Sequence, residues 1–538
     1  MTEMHTYFRI MSTELIHKHG LQFPTAAAAI LVAYYVLPYW LDPYDYRRRF
    51  SGPWLASLTN RWMASAAQGN HSETIRELHE KYGTFLRIGP NHISIADPEA
   101  HEAVYGHSSG LLKAGFYDIF VTGAHNVFNT TDRTIHTIKR KRVAHIFSMQ
   151  SVLAFEPRVR KHILEFCNQW DIRCDSAARG ISGVNWKAKD GKAIIDSCAQ
   201  FGFLAFDIIG DLAVGLSFGL IRTQRDVVPM ALSRTVTENA EAKTTEIPVA
   251  STIARTGKLV MALGGYPLWI QKALQLAPWY ITGTIAQWNL FKLAVAAVND
   301  RLRRDKAGDY EKDGIDIIDK LLEVKDEDGA DMPRPELTSE VLALFIAGGD
   351  TTSNTLSGLC YNLAIYPEYQ RKLQKELDTH IPLALEKSDD PLDIVARYED
   401  IKHLPYLNAC IKEIHRFQSV VGTGLPRVVP PGKTFTFRGE TFKAGSVISV
   451  PSFTTNRSKI WGHDADEFRP ERWLEDDAGV LNKYLVPFSV GPRACIGRNL
   501  ATMDLLLIVA TLFRRYEVGR LDSTKARIPD RESFMKLT

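Results

Sequence analysis

The residues whose types and spacing best suit chemistry lie in a loop near the C-terminal end that leads into an apolar helix. This loop covers residues 488–497 and reads Phe-Ser-Val-Gly-Pro-Arg-Ala-Cys-Ile-Gly. A thiolate at Cys495 would face the positive end of the helix dipole, which lowers its pKa and stabilises its charge. Arg493 suits a carboxylate on the same ligand, Phe488 can keep water from the sulfur, and Gly497 lets the backbone approach a flat ligand. The loop thus suits a metal-ligating thiolate, although a buried structural cysteine before a helix is the more usual role for such a residue taken alone.

Every fixed position of this loop resembles the haem-ligand loop of the cytochromes P450, Phe-x-x-Gly-x-Arg-x-Cys-x-Gly. The resemblance implies a haem b whose iron is ligated by Cys495. In that family the thiolate pushes electron density onto the iron and favours cleavage of dioxygen. The implied fold is the mostly helical (α+β) cytochrome P450 fold, in which a helical body with small β-sheets surrounds a buried haem.

A second polar cluster interrupts the apolar helix that the sequence predicts over Thr338 to Leu363. Residues 347–352 read Ala-Gly-Gly-Asp-Thr-Thr, and two glycines inside a helix cost stability, so they need a reason. The resemblance supplies one, a groove beside the haem in the family's oxygen-binding helix. It implies that Thr351 hydrogen-bonds the oxygen being activated and that Asp350 relays protons from solvent. The alternative is a break between two helices, with both side chains bonded to the backbone.

A Glu-x-x-Arg pattern occurs at Glu413 and Arg416, and residues 468–473 read Phe-Arg-Pro-Glu-Arg-Trp. Exposed helical pairs give the same pattern elsewhere in the chain. By resemblance, Arg472 supplies a second arginine, so that one carboxylate is shared by two guanidinium groups. The role implied for this triad is structural.

The resemblance also implies side chains that hold the haem propionates. His136 stands where the family usually has Trp, and its ring N–H can donate as an indole does. Neighbouring Lys139 and Arg142 are expected on a solvated helix face, or on a surface that docks an acidic flavoprotein. The implied propionate contacts are His136, Arg140, Arg427 and Arg493.

Residues 85–92, 116–118, 128–133 and 206–211 resemble the fungal benzoate para-hydroxylase subfamily. This implies a monooxygenase that uses dioxygen and hydroxylates a small aromatic acid, foremost benzoate at the para carbon. Its electrons would come from NADPH through a flavoprotein reductase, cytochrome P450 reductase. The alternatives are a hydroxylase of a fungal secondary metabolite, a haem-thiolate sensor or carrier without turnover, and an isomerase that consumes a peroxide. The candidate pocket residues are Phe116, Phe120, Phe345, Thr423 and Lys113, of which the last two are candidates for pairing the substrate carboxylate.

Composition bears on the partners of the protein and on the compartment in which it resides. The chain has 538 residues and a formal net charge of +3, which gives no reason to expect a nucleic-acid partner. Its six cysteines form no CxxC pair, so they fit neither a zinc site nor a disulfide framework. They indicate a reducing compartment. Apart from Cys495, they are expected to be small buried residues.

An uncharged apolar segment, Leu21 to Leu41, is long enough for one bilayer crossing. The basic cluster Arg47 to Arg49 favours a cytosolic location for the rest of the chain, and a cleaved signal peptide is the rival interpretation. The sequence thus predicts a single-pass anchor in the endoplasmic reticulum membrane. Residues 1–50 would form the anchor and its basic flank, a hinge would lie at 51–54, and one catalytic domain would cover 51–538.

Local patterns predict the main elements. Residues 71–82 have helical spacing, 85–95 have the pattern of a hairpin, and helical patterns dominate from 134 to 419 with a polar break over 305–334. Short strands are predicted over 434–437 and 446–450, and a last helix over 499–513. The chain reaches Thr538 soon after Glu532-Ser533-Phe534, which resembles the family's last substrate-contacting turn. A short natural variant and an incomplete C-terminus are both open at this point.

Overall fold

Helices form most of the molecule. The computed structural model describes residues 22–60, 62, 70–231, 244–308, 314–325, 329–381, 390–521, 531–532 and 536–537. Its α-helices are α1 Gln22–Leu41, α2 Tyr46–Arg49, α3 His71–Tyr82, α4 Ala100–Tyr105, α5 Arg133–Val143, α6 Met149–Leu153, α7 Glu156–Ala178, α8 Ser197–Val214, α9 Leu220–Thr223, α10 Val249–Leu263, α11 Leu268–Leu274, α12 Ile281–Ala307, α13 Ile317–Glu323, α14 Arg334–Ile365, α15 Pro367–His380, α16 Tyr398–Ile401, α17 Pro405–Phe417, α18 Ser452–Thr455, α19 Ala478–Leu481 and α20 Arg498–Arg515.

The strands are short and most of the sheets are two-stranded. In the larger sheet the order is β1-β2-β11-β8-β3, with β2 and β11 parallel and the other neighbours antiparallel. The strands are β1 Phe85–Gly89, β2 His92–Ile95, β3 Leu112–Lys113, β4 Trp186–Lys189, β5 Lys192–Ile195, β6 Val228–Ala231, β7 Thr244–Ile247, β8 Arg427–Val428, β9 Phe435–Phe437, β10 Glu440–Phe442, β11 Val447–Ser449, β12 Arg531–Glu532 and β13 Lys536–Leu537.

Helix α14 runs unbroken through the Gly-Gly pair, so the predicted alternative of two helices is wrong. The two glycines allow α8 to pack closely on α14. A Cβ at Gly348 would lie 2.7 Å from Ile209 Cγ1, and a Cβ at Gly349 would overlap the ring of Phe206. Close approach of two buried helices is therefore a reason for these glycines that sequence alone did not reveal.

Two hairpins lie within the region where helical patterns dominate. Strands β4 and β5 pair in register from Trp186 with Ile195 to Lys189 with Lys192, and β6 pairs with β7. Asp190 and Gly191 form the first turn with positive φ angles of 51° and 72°. Asp-Gly is a strong hairpin signal, so this departure from the helical expectation was recoverable from the sequence.

The segment after α1 is packed against the body, and the hinge over 51–54 stays a prediction. Phe50 is buried in the cluster that contains the sheet residues and stacks on Phe442, with ring centroids 5.6 Å apart. The amide of Arg87 donates to the carbonyl of Ser51 at 3.0 Å. The ring of Phe50 thus attaches the segment to β10, and the carbonyl of Ser51 attaches it to β1.

The membrane role of α1 stays a prediction. Its described side chains from Val32 to Leu41 are mostly exposed. Within the described residues, α8 is the helix that is long and apolar enough to cross a membrane, and 72% of it is buried inside the protein.

The six cysteines are all free. Cys167, Cys360 and Cys410 are buried as expected, whereas Cys174 is exposed and Cys198 is partly exposed. The expectation of burial is wrong for these two because they occupy solvent-facing positions on α7 and on the first turn of α8.

The C-terminal region forms a small antiparallel hairpin. Arg531 pairs with Leu537 and Glu532 pairs with Lys536. The turn that the sequence singled out at Ser533 and Phe534 lies outside the described residues.

Candidate active site

The loop before α20 holds Cys495 in an open recess. A 3₁₀ turn covers Gly491–Arg493, and the amide of Cys495 donates to the carbonyl of Phe488 at 2.8 Å. The Cys495 side chain is exposed, and a Cβ added at Gly497 would meet no atom within 4 Å. The ring of Phe488 packs edge-on against His415, with centroids 5.3 Å apart. The loop thus presents a sulfur beside free space, as a bulky ligand requires.

Two opposing effects act on the pKa of the Cys495 thiol. Desolvation by the surrounding protein raises its pKa, while an N–H bond from Gly497 and the charges of Arg140 and Arg498 oppose that rise. Stabilisation by the following helix is therefore present but smaller than the cost of removing the charge from water.

Buried cationic side chains converge beside this loop. Lys113 on β3 lies opposite Arg427 on β8, and Arg427 Nη1 donates to the Tyr117 hydroxyl at 3.0 Å. Arg493 Nη1 donates to the carbonyl of Thr130 at 2.6 Å. Arg140 Nη1 donates to the Ala494 carbonyl at 2.6 Å. We call Lys113, Arg140, Arg427 and Arg493 the cationic cluster; the imidazole of His136 lies beside them.

The cationic cluster lacks counter-charge. Within the described part of the chain none of its members forms an ion pair with a carboxylate; their partners are carbonyls and a hydroxyl. Burial, followed by the charges of Arg493, Lys113, Arg140 and Arg427, lowers the pKa of His136 to about 3. Burial and Arg427 lower the pKa of Arg493 to about 10.

The uncompensated charge of the cationic cluster bears on whether this site can hold a haem. Buried cations that repel one another need an anion between them, and the two carboxylates of a haem meet that need next to a sulfur in a recess. The donor set therefore fits the implied cofactor.

Lys113 belongs to this cluster and is not a surface residue. Its Nζ donates to the Phe128 carbonyl and lies 3.9 Å from the ring centroid of Tyr117 and 4.2 Å from that of Phe128. Burial, then Arg427 and Arg493, lower its pKa well below the ordinary lysine value. Lys113 therefore lies among the side chains that are expected to bind the haem propionates. Thr423, the other candidate partner for the substrate carboxylate, does not belong to this group.

The predicted proton-handling pair lies in the middle of α14. The Thr351 hydroxyl donates to the Ala347 carbonyl at 2.7 Å. Asp350 is buried, and its Oδ2 has no hydrogen-bond partner within the described residues. Burial raises its pKa to about 7, against a smaller opposing effect of Asn354. Asp350 is thus poised to change its protonation state at neutral pH.

The structure brings the Glu413, Arg416 and Arg472 side chains together. Arg416 Nη2 and Nε donate to the two oxygens of Glu413 at 2.7 and 3.0 Å, and Arg472 Nε donates to it at 3.1 Å. The indole of Trp473 adds a bond of 2.9 Å. All three charged groups are buried, so this is a fully bonded structural core and not a reacting site.

The residues predicted to line the substrate pocket do not all lie together. Phe116 and Phe120 pack in one aromatic group with Tyr117, with centroid distances of 5.4 to 6.4 Å. Phe345 packs on Phe218 at 5.3 Å in the main core. The structure therefore places Phe345 with the helix packing and not with the aromatic group.

A cavity of about 650 Å³ lies between α1, α3, the larger sheet and the loop before β8. Phe116 and Thr423, two of the predicted pocket residues, line it. So do His71 and His92, which sequence reasoning missed as functional candidates. His92 lies within the stretch that resembles the benzoate subfamily, whereas no local signal distinguishes His71.

The expectation that Lys139 lies on a solvated helix face or a docking surface is wrong. Lys139 is buried and forms an ion pair with Glu336 on α14, because α5 packs that side of its basic run inward. Lys141 is exposed and Arg142 is partly exposed, so these two keep the predicted solvated character.

Comparison with known proteins gives a consistent family. The family model of cytochrome P450 matches residues 51–538. The chain is 39% identical over 515 residues to benzoate 4-monooxygenase bphA of Aspergillus niger, covering 94% of both chains. It is 28% identical over 476 residues to pisatin demethylase of Fusarium vanettenii, covering 88% of this chain and 85% of the relative. The chain belongs to the cytochrome P450 family and is a P450 monooxygenase.

Proposed function

We propose that the protein hydroxylates benzoate, or a closely similar small aromatic acid, at the para carbon. The observation that carries this proposal is the 39% identity to benzoate 4-monooxygenase bphA across 94% of both chains.

Haem b is the cofactor of this reaction, and it supplies the iron at which dioxygen is activated. Cys495 would ligate that iron, Phe488 would shield the sulfur, and Gly497 would leave room for the ring. His136, Arg140, Arg427 and Arg493 would donate to the propionates. Lys113 shares their surroundings, so its carboxylate partner would be in the cofactor and not in the substrate.

Proton delivery is the role of Asp350 and Thr351. A carboxyl group with a pKa of about 7 holds its proton in part of the population at neutral pH and can give it up and regain it. The Thr351 hydroxyl, bonded to the Ala347 carbonyl at 2.7 Å, can turn to donate to a ligand in the groove. This pair favours an enzyme over a haem carrier, which needs no proton supply.

Electrons come from NADPH through a flavoprotein reductase. The exposed Lys141 and the partly exposed Arg142 give a small positive surface near the haem-binding loop, which suits an acidic partner. Lys139 is not part of it because Glu336 neutralises its charge.

The protein is held in the endoplasmic reticulum membrane by α1, with the catalytic domain in the cytosol. Two exposed tryptophans extend this apolar surface: Trp269 is 67% exposed and Trp279 is 71% exposed. Trp269 contacts Tyr34 of α1 edge-on, with ring centroids 6.4 Å apart. Tryptophan is favoured at the membrane–water boundary, so we expect W269S/W279S to reduce liposome binding of the protein lacking residues 1–41. Binding unchanged from that of the unsubstituted truncated protein would contradict this.

The experiment that tests the reaction is an optical titration of the purified ferric protein with benzoate, followed by a turnover assay for para-hydroxybenzoate. We expect a saturable shift of the Soret band from low to high spin, and para-hydroxybenzoate that depends on NADPH and reductase. An intact haem spectrum with no response to benzoate would refute benzoate as substrate. The search would then pass to larger fungal metabolites.

A further inference from the structure

An arginine on the first strand of the larger sheet is buried without a bonding partner for its charged group. Arg87 lies in the middle of β1 and is 5% exposed. Its side-chain Nε and Nη1 are buried, and neither has a hydrogen-bond partner among the described residues. A buried cation that lacks both hydrogen bonds and a counter-charge is costly. Arg87 is therefore a candidate for binding an anion.

A small cavity beside Arg87 matches the end of a phosphate group in size. The cavity has a volume of about 40 Å³ and is lined by both Arg87 and Arg47. A single water molecule needs about 15 Å³ of such space. The cavity thus has room for about three oxygen-sized atoms, which is the number at the free end of a phosphate monoester.

The charges around this small cavity favour an anion. Arg47 supplies a second guanidinium group, which lies 4.5 Å from the ring centroid of Tyr39. Asp42 is the one acidic residue among the described residues that line the cavity. Its two carboxylate oxygens already accept the backbone amides of Tyr46 and Arg47, each at 3.1 Å. Asp42 therefore caps the chain after α1 and leaves two cations without a bonded counter-charge.

The surroundings of Arg87 disfavour its charge as long as no anion is bound. Burial is the largest effect and lowers its pKa, and the charge of Arg47 adds to that fall, whereas Asp42 and Tyr39 oppose it. A bound anion between the two guanidinium groups would offset both their desolvation and their mutual repulsion.

The small cavity lies at the end of the helix that we propose as the membrane anchor. Pro38 and Tyr39 of α1 line it, and so does Pro43, which follows α1. The Lys443 ammonium donates to the Pro43 carbonyl at 3.2 Å, which brings a third cation close. Basic side chains next to a membrane helix lie at the level of the lipid phosphates. The nearest supply of phosphate is therefore a phospholipid headgroup.

We propose that Arg87 and Arg47 bind the phosphate group of a phospholipid at the end of α1. The two guanidinium groups donate to its oxygens, because their paired N–H donors match the geometry of a phosphate. The acyl chains lie along the apolar surface of α1. The lipid as the source of the phosphate rests on the proposed membrane anchoring, whereas the binding of phosphate does not.

The first test measures binding of inorganic phosphate to the full-length, haem-loaded protein in a neutral detergent. Thermal unfolding is followed as phosphate replaces chloride at equal ionic strength, which separates binding from charge screening. We expect the unfolding temperature of the wild-type protein to rise with phosphate. Arg87→Met should weaken phosphate binding by about ten- to a hundredfold, the loss expected for hydrogen bonds to a charged group.

The stability of Arg87→Met without phosphate distinguishes a ligand-binding arginine from a structural one. Removal of an uncompensated buried cation should leave the protein at least as stable as the wild type. Arg173→Met is the matched control, since Arg173 is also 5% exposed but donates to the Gln200 side chain at 3.1 Å. We expect this control to lose stability and to keep the response to phosphate. Arg48→Gln removes an exposed charge of the same basic run and should leave phosphate affinity unchanged.

The second test identifies the source of the phosphate. Dihexanoylphosphatidic acid, a soluble phospholipid, is compared with inorganic phosphate and with dihexanoylglycerol, which lacks the phosphate. We expect the phospholipid to bind more tightly than either, because it adds apolar contact with α1 to the contacts of the phosphate. Arg87→Met should lower its affinity towards that of dihexanoylglycerol.

Three outcomes would overturn the inference. A wild-type protein that responds to neither phosphate nor phosphatidic acid would mean that Arg87 is solvated by water alone. An equal response in Arg87→Met would place the phosphate elsewhere; if that variant does not fold, an unchanged affinity in Arg47→Gln has the same meaning. Inorganic phosphate that binds as tightly as phosphatidic acid would overturn the lipid as ligand. None of these outcomes bears on the hydroxylation of benzoate, which the benzoate titration tests separately.

Discussion

Substitution of Glu413 by Gln tests how the buried arginines are compensated. The substitution keeps the shape of the side chain but removes the negative charge. Arg472 retains Asp464, whose Oδ1 lies 3.1 Å from its Nη1. Arg416 retains only backbone carbonyls, those of Asn456, Ala465 and Glu467 at 2.7 to 2.8 Å. The uncompensated charge after the substitution is therefore mainly that of Arg416.

Breaking a buried ion pair from one side costs about 3–5 kcal/mol. Because the remaining carbonyls partly solvate Arg416, we expect Glu413→Gln to lower the free energy of unfolding by about 3 kcal/mol, the lower end of that range. The control is Glu440→Gln. Glu440 pairs with Arg49 at 2.5 Å while both side chains are about a third exposed, and such pairs contribute at most about 1 kcal/mol.

Urea unfolding followed by tryptophan fluorescence measures both variants, and Trp473 reports directly because its indole bonds to Glu413. A double variant, E413Q/R416M, removes the unpaired charge and should recover part of the loss. A loss in Glu413→Gln no larger than in Glu440→Gln would refute the reasoning. So would a double variant less stable than E413Q alone.

Four further substitutions test the assignments in the active site and on the surface. Thr351→Ala should divert turnover from product to hydrogen peroxide, and unchanged coupling between NADPH consumption and product would contradict its role. Asp350 has a pKa of about 7 in the folded state but an ordinary value of 3.8 when unfolded. Its contribution to stability therefore falls as pH rises between those values, and Asp350→Asn should gain stability relative to wild type from pH 5 to pH 7.5; parallel unfolding profiles would count against this. Lys139→Met should lower the stability of the fold with little effect on the salt dependence of electron transfer. Lys141→Met should instead weaken electron transfer from the reductase without destabilising the fold. The opposite pattern would show that Lys139 belongs to the docking surface.

Local signals were enough to predict the elements that carry the chemistry. The fixed positions around Cys495, the apolar run of α20 and the hairpin of β1 and β2 each lie within a short segment. The boundaries of α3, His71–Tyr82, agree with the helical spacing read from the sequence. Such features depend on periodicity, turns and spacing, which a single sequence displays directly.

Features that depend on distant contacts were not predicted. Lys139 meets Glu336, which lies almost 200 positions further along the chain, and only that partner explains its burial. Gly349 has a packing reason because Phe206 of α8 lies against it. His71 looks ordinary in sequence, although it lines a cavity that α1, the sheet and a distant loop enclose together. Tertiary contacts of this kind leave no periodic trace.

The cationic cluster and the cavity at His71 differ in electrostatic character, and this difference bears on where a carboxylate can bind. The cationic cluster binds strongly because its charges repel one another until an anion arrives, which suits a permanent cofactor. None of the described residues that line the cavity at His71 is Asp, Glu, Lys or Arg, so it offers a carboxylate no cationic partner. Pro426 lines the cavity and the adjacent Arg427 belongs to the cationic cluster, so the boundary between the two regions falls at the start of β8.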